Sequence, residues 1–325
     1  MSPDDSPELA IRPMQEADLP AADRICRVAF GTFVGIPQPE TFFGDADYCQ
    51  TRFRSDPSAS FVAVRNGEVV GSNFATGWGS VGFFGPLSVR PDLWNAGVAQ
   101  RLLEPVMACF EAWGTRHVGL FTFAQSPKHV ALYQKFGFQP RYLTAVMIAP
   151  VRPPGAVPPR DRVPVPPTFG ELPPAARATA LAECRELADQ VHPGLDLTPE
   201  ILSVQAQGLG DTLLLPDACG LGGFAVCHCG AGTEAGSGTC FVKFAAVLPG
   251  AGATQRFEGL LAACEAFAAE RGLERLEVGA STARREACAV LLRREFRTLF
   301  QGVTMQRPDE PATHRSDAYV IDDWR

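Results

Sequence analysis

Residues 83–138 read FFGPLSVRPDLWNAGVAQRLLEPVMACFEAWGTRHVGLFTFAQSPKHVALYQKFGF. Phe83–Val89 is apolar and partly β-branched, and Arg90-Pro91 closes it, which predicts a buried strand with a turn after it. Trp94 to Ala99 is a short run of mostly small residues. A helix is then predicted, with Val98, Leu102, Leu103, Val106, Met107, Phe110 and Trp113 on one stripe and Gly114 at its stop. A second strand, Val118–Phe123, leads to Ser126 and a shorter helix ending near Tyr133, with Gly137-Phe138 beyond it. A strand that feeds a small-residue turn at a helix N-terminus aims free backbone N–H groups at one point, and the helix dipole adds a positive field. Such a point favours an anion, and Gly97 and Ala99 leave room for a pyrophosphate against the backbone. The same small turn also serves ordinary tight packing.

In combination these pieces resemble the GCN5-related N-acetyltransferase (GNAT) superfamily. That family carries Arg/Gln-x-x-Gly-x-Gly/Ala after a strand of the type Leu-x-Val-x-Pro. Leu87-Ser88-Val89-Arg90-Pro91 matches the strand, and Gly97 and Ala99 match the two small positions. Trp94 stands where Arg or Gln is usual. The family's later motif, Asn-x-x-Ala-x-x-Leu-Tyr-x-x-x-Gly-Phe, is met by Leu132-Tyr133 and Gly137-Phe138, with Ser126 in place of Asn and Ala131 shifted by one. The resemblance covers roughly Ile11 to Met147 and implies an α/β fold, a central mixed, mostly antiparallel sheet flanked by helices.

The resemblance also implies a chemistry. Acetyl-CoA would be the cosubstrate, with no metal. Its pyrophosphate would lie on the turn formed by Asn95, Ala96, Gly97, Val98, Ala99, Gln100 and Arg101, and its pantetheine arm beside Leu87, Ser88 and Val89. An acceptor amine would attack directly, and Tyr133 resembles the family's general acid, which protonates the departing thiolate. A phenol of pKa ~10 facing a thiolate of pKa ~8.5 is uphill but workable through a positioned hydrogen bond. Ser126 either bonds the pantetheine or caps the next helix, with Pro127 at its first position. His129 reads as a surface residue of that helix, and no base is named. In this family the acceptor usually meets the region after the first helix. There Phe30, Phe33, Phe42 and Phe43 either line an acceptor pocket or pack under a lid.

The remaining composition bounds these readings. The chain has 325 residues, enough for two domains. Hydrophobic residues are 46% and charged residues 20%, which is the balance of a globular protein. The formal net charge of −7 and the lack of a basic face argue against nucleic-acid binding. Lys128, Lys135 and Lys243 are the only lysines. No stretch reaches membrane-span length, and Met1-Ser2-Pro3-Asp4-Asp5 has no apolar run behind it, which predicts a cytoplasmic protein without a membrane partner. The ten cysteines then read mainly as small core residues in a reducing compartment. Cys219, Cys227-His228-Cys229 and Cys240 invite a zinc reading, but neither pair has the usual ligand gap, and Phe224–Cys229 reads as a strand that turns His228 away from its neighbours.

Elsewhere, Leu9–Pro13 is a predicted strand and Asp18 a predicted cap for a helix with Pro20 in its first turn. Phe30–Phe43 suits a loop or broken helix, and Phe61–Val64 with Val69–Thr76 forms a hairpin at Asn66-Gly67. Residues 151–167, VRPPGAVPPRDRVPVPP, read as a semi-rigid linker. Beyond it the pattern recurs at a shift of 158 residues: Phe83 falls on Phe241, Val89 on Val247, Leu102-Leu103 on Leu260-Leu261, Gly114 on Gly272, Phe138 on Phe296 and Met147 on Met305. We read a duplicated fold: a catalytic unit at 1–150, a degenerate copy at 168–307 and a tail at 308–325 that ends in a strand. In the copy Gly97 becomes Gln255, Ala99 becomes Phe257 and Tyr133 becomes Leu291, so its expected role is structural.

The expectation is an N-acyltransferase that moves acetyl from acetyl-CoA to a primary amine, either a small molecule or a peptide, as a monomer or homodimer. Alternatives are a non-catalytic acyl-CoA-binding regulator, transfer of a longer acyl group or to a hydroxyl, and a structural partner protein.

Overall fold

In a computed structural model, residues 9–153, 164–218 and 220–325 are described; most of the expected Pro-rich linker and Cys219 lie outside them. The order is β1 (Leu9–Pro13), α1 (Leu19–Val34), α2 (Tyr48–Ser55), β2 (Ser60–Arg65), β3 (Glu68–Trp78), β4 (Val81–Phe84), β5 (Ser88–Val89), α3 (Val98–Ala112), β6 (His117–Thr122), α4 (Pro127–Gln134) and β7 (Gln139–Pro150). After the Pro-rich stretch come α5 (Pro174–Val191), α6 (Thr198–Gln207), β8 (Gly210–Asp217), β9 (Gly220–Gly230), β10 (Gly236–Val247), α7 (Ala253–Glu270), β11 (Arg275–Ser281), α8 (Arg285–Arg293), β12 (Arg297–Arg307) and β13 (Val320–Ile321).

These strands form one mixed sheet in the order β1-β2-β3-β4-β6-β12-β7-β11-β10-β9-β8, with β5 on β3 and β13 on β10. Only β4–β6 and β10–β11 are parallel among the described pairs, so the sheet is mostly antiparallel, as expected. The two halves interlock. β12 inserts between β6 and β7, and β7 pairs on its other edge with β11. Exchanging these long strands removes what would otherwise be two exposed sheet edges.

The predicted helix stripe is the core of the first half. Leu102, Leu103 and Val106 are fully buried where α3 packs on β2 and β3. Burying such a side chain contributes roughly 1.5–3 kcal/mol. A second cluster covers β10 and β11 with Phe257, Leu260, Leu261 and Phe267 of α7. A third joins the halves: Trp78 and Phe83 pack with Phe244 and with Ile201 of α6.

Four local expectations change. Phe83–Val89 is two short strands, because Pro86 has no N–H to continue a ladder and the chain turns at Gly85. Helix α1 runs on to Val34 and is capped by Gly35 at φ +77°, so Phe30 and Phe33 stand on a helix. Asp18 does not cap it; its carboxylate is taken by Arg12 at 2.6 Å and by the Gln15 N–H at 2.8 Å. Helix α7 begins at Ala253, one turn before the place the 158-residue shift assigns, with Gly252 at φ +81° as its cap.

Candidate active site

The β4–β6 pairing stops at Phe83 and Gly119. Beyond that point β5 swings onto β3, where Ser88 faces Ser72 with their hydroxyls 3.1 Å apart. Gly71 permits the swing, since a Cβ there would meet the Ser88 carbonyl oxygen at 2.7 Å. The diverging strands leave a wedge, and a cavity of about 1320 Å3 fills it. Leu87, Ser88 and Val89 form one wall, and residues 120–123 at the end of β6 form the other.

Helix α3 opens onto this cavity. Asn95 and Gly97 are both left-handed, at φ +69° and +79°, and no side chain caps the helix. The first intrahelical bond outside the cap is the Arg101 N–H to the Gly97 carbonyl at 3.2 Å, so the N–H groups of Val98, Ala99 and Gln100 have no acceptor within the helix. A Cβ on Gly97 would meet nothing within 4 Å, so the space in front of these donors is open. Asn95, Gly97, Val98, Ala99 and Gln100 line the cavity. Ala96 and Arg101 do not. The Ala96 N–H is turned back to Leu93 at 3.2 Å, and the Arg101 guanidinium reaches the Leu9 carbonyl on the far side. Trp94 braces the turn, its indole N–H donating to the Val89 carbonyl at 2.8 Å. The Lys128 ammonium lies 5.4 Å from the centre of that ring and, with Lys135, lines the cavity. An uncapped helix start with two cations nearby fits a pyrophosphate.

Tyr133 is buried beside Phe84, 5.7 Å between ring centres, and lines the same cavity. Burial pushes its phenol well up, with Thr122 acting weakly against this, so the hydroxyl keeps its proton. Ser126, also buried and on the lining, caps α4 by accepting the His129 N–H at 3.3 Å. His129, expected at the surface, is half-buried at the cavity wall, 4.8 Å from Phe33, and burial pulls its pKa down.

The four phenylalanines converge on the cavity. Phe30 stacks on Phe42 at 6.0 Å and meets Phe43 at 5.4 Å, while Phe33 meets Phe123 at 4.8 Å. Tyr48 continues this wall, 4.9 Å from Phe43. The second half supplies the remainder: Glu234 and Ala235 from the β9–β10 loop, Glu277 of β11, residues 299–301 of β12, and Arg325. Glu234 is held by Arg52 at 3.0 Å and Lys243 at 2.9 Å. Burial alone would raise its carboxyl, but these cations outweigh burial and hold it well below the usual range. Arg52 also donates to the Gly85 carbonyl at 2.5 Å, where the wedge begins, and to the Arg325 carbonyl. Glu277 pairs with the Arg325 guanidinium at 2.8 Å. No motif announced Arg52, Glu234 or Glu277, whose meetings join residues far apart in sequence.

A second wedge opens where β10 leaves β11 after Val242, and it is filled. β13 pairs there with Ala245 and Ala246. Arg284, fully buried, holds it through Asp322 at 2.9 Å and the Val320 carbonyl at 3.1 Å. The Tyr319 hydroxyl sits over the start of α7, bonded to Thr254 at 2.6 Å and Glu286 at 2.7 Å. Cys227 and His228 alternate across β9 as the sequence predicts, and the sulfurs of Cys229 and Cys240 lie 3.9 Å apart. Among the described residues no group of three His, Cys, Asp or Glu side chains is arranged to hold a metal, and no helix is long and apolar enough to cross a membrane.

Residues 25–138 match the model of the acetyltransferase (GNAT) family. Over the whole chain the fold is similar to that of a candidate acetyltransferase from Pyrococcus horikoshii, at 14% identity and a TM-score of 0.66, covering 97% of this chain and 95% of that one. It is also similar to a GCN5-related N-acetyltransferase from Sphaerobacter thermophilus, at 16% identity and a TM-score of 0.59, covering 92% and 95%. No curated protein sequence matches the chain.

Proposed function

From the match of residues 25–138 to the acetyltransferase (GNAT) family model we propose that the chain transfers acetyl from acetyl-CoA to a primary amine. The observation that carries this reading is the uncapped start of α3, with open space in front of Gly97, facing the same cavity as the protonated Tyr133. The N–H groups of Val98, Ala99 and Gln100, with Lys128 and Lys135, hold the pyrophosphate. The wall at Leu87–Val89 lies beside the pantetheine arm. Acetyl-CoA supplies an activated acyl group as a thioester.

The chain's residues then do three things. The walls of the wedge fix the approach of the amine. A backbone N–H of the Leu87–Val89 wall polarises the thioester carbonyl. Tyr133 gives its hydroxyl proton to the sulfur as the carbon–sulfur bond breaks and the carbon–nitrogen bond forms; the proton lost by the nitrogen goes to solvent, from which Tyr133 is recharged. Its raised pKa keeps it in the donating form and makes the transfer steeper, so the hydrogen bond must strengthen as negative charge grows on sulfur.

We assign residues 168–307 a structural role, as a second unit that completes one wall of the acceptor side and whose own wedge is closed by β13. Release of free thiol from acetyl-CoA that depends on an added primary amine tests the transfer. Tight acetyl-CoA binding with no thiol release from any amine would support the binding-only alternative.

A further inference from the structure

Large aromatic side chains are normally consumed by the core, yet several here are not. Phe33 and Phe42 belong to none of the buried clusters and are half-exposed on the cavity wall. Phe30 and Phe43 pack only partly, and Phe123 and Tyr48 extend the same surface. A continuous apolar surface of this kind, left uncovered inside a cavity, marks a place for an apolar ligand. The charges on the lining point the same way. Its only side-chain carboxylates among the described residues are Glu234 and Glu277. Both are already neutralised, Glu234 by Arg52 and Lys243 and Glu277 by Arg325. The other charged side chains of the lining are Lys128 and Lys135, at the end of the cavity assigned to the pyrophosphate. A polyamine entering this cavity would find no unpaired side-chain carboxylate to receive its further ammonium groups.

We infer that the acceptor is a hydrophobic monoamine, a single amino group on an aryl-alkyl or alkyl body, seated on the aromatic wall of Phe30, Phe33, Phe42, Phe43 and Phe123. This rests on the acetyl-transfer reading above. A single amino group can be seated in its neutral form against apolar walls, whereas each further ammonium would be desolvated with no carboxylate to pair it. Apolar surroundings also favour the neutral form of an amine, so seating the acceptor here delivers the nucleophile without a dedicated base. The step balances as a simple exchange: nitrogen bonds the acyl carbon and loses one proton to solvent, and the CoA sulfur gains one.

The test uses the full chain and reads binding and turnover separately. Calorimetry with acetyl-CoA reports the cosubstrate site. Thiol release is then compared for 2-phenylethylamine, hexylamine, spermidine and a lysine-containing peptide, and separately for acetyl-, hexanoyl- and decanoyl-CoA with one amine. The expected result is a kcat/KM for 2-phenylethylamine or hexylamine at least tenfold above that for spermidine and the peptide. Phe33→Ala and Phe42→Ala should each lower kcat/KM for the apolar amines about tenfold while acetyl-CoA affinity stays within twofold. Equal or better use of spermidine or the peptide would overturn the inference and leave the transferase reading standing. So would a kcat/KM that rises with acyl chain length and falls in the two Phe variants, because the aromatic wall would then hold the acyl chain. Failure to bind acetyl-CoA at all would remove the transferase reading, and this inference with it.

Discussion

Arg52 and Glu234 meet 3.0 Å apart across the two halves of the chain, with only 3% and 1% of their side chains exposed. The guanidinium spends its other donors on the Gly85 carbonyl, where the wedge opens, and on the Arg325 carbonyl. One side chain therefore ties α2, the turn between β4 and β5, the β9–β10 loop and the tail. Removing one partner of a buried pair strands the other, at a cost of about 3–5 kcal/mol. Arg52→Met should show a loss of that order in denaturant unfolding. Arg52→Lys should not restore it, because one ammonium cannot reproduce a planar fork that serves three acceptors. A lysine variant as stable as the parent would contradict this account of the hub.

The proposed phosphate site gives a cleaner separation of folding from function. A Cβ at Gly97 points into open space, although the backbone there is left-handed at φ +79°. Gly97→Trp should cost about 1–2 kcal/mol of stability from backbone strain and keep a cooperative unfolding transition. It should weaken acetyl-CoA binding more than tenfold by filling the space in front of the helix. Unchanged affinity in calorimetry would move the phosphate elsewhere.

Stoichiometry follows from the filled wedge. β13 on Ala245 and Ala246 and Tyr319 over the start of α7 fill the second wedge, whereas the wedge proposed to take acetyl-CoA is open. Titration should give one site per chain. Two equivalent sites would show that the tail does not close the second wedge.

Four histidines set a pH dependence of stability, His129 of the cavity wall among them. His117 and His192 stand edge to face at 4.9 Å. Burial lowers both; for His192, burial and then His117 bring it down to about 4. Burial also pulls His314 well down. The unfolded chain binds these protons near pH 6.5 and the folded chain only at lower pH, so stability is full above about 6.5 and falls as pH drops towards 4. The thermal midpoint should therefore fall between pH 7 and pH 5, and His192→Gln should shallow that fall. An identical slope in the variant would exclude His192 as a contributor.

Much of this was legible in the sequence wherever a local pattern decided the structure. The helix stripe from Val98 to Phe110 and the Asn66-Gly67 hairpin formed as the residues dictate, since apolar spacing and left-handed turn residues act within a few positions. The break at Gly85-Pro86 was missed because an apolar run hid a proline that ends the ladder. At a shift of 158 residues β6, α4 and β7 fall on β11, α8 and β12, but the helix start does not follow, because α7 begins at Ala253 with Gly252 as its cap. The second wedge is closed by a different device, the tail, which pairs far from its place in the chain. The charged half of the site was illegible for the same reason. Glu234 lies in a Gly-rich loop that local reading treats as slack, yet that loop is pinned to the first half by the Ser237 and Gly232 N–H groups, which donate to Asp45.

The most direct test is a single-turnover measurement on Tyr133→Phe, with acetyl-CoA affinity determined on the same protein. The hydroxyl meets sulfur only as the bond breaks, so its loss should appear in the rate of chemistry and not in ground-state binding. General acid catalysis is worth roughly 10²–10⁴-fold, so the rate should fall at least tenfold with the affinity within twofold. Leu291→Phe, the matching position of the second half, should change neither. A Tyr133→Phe protein that turns over at the parent rate would contradict the assignment of Tyr133 as the acid.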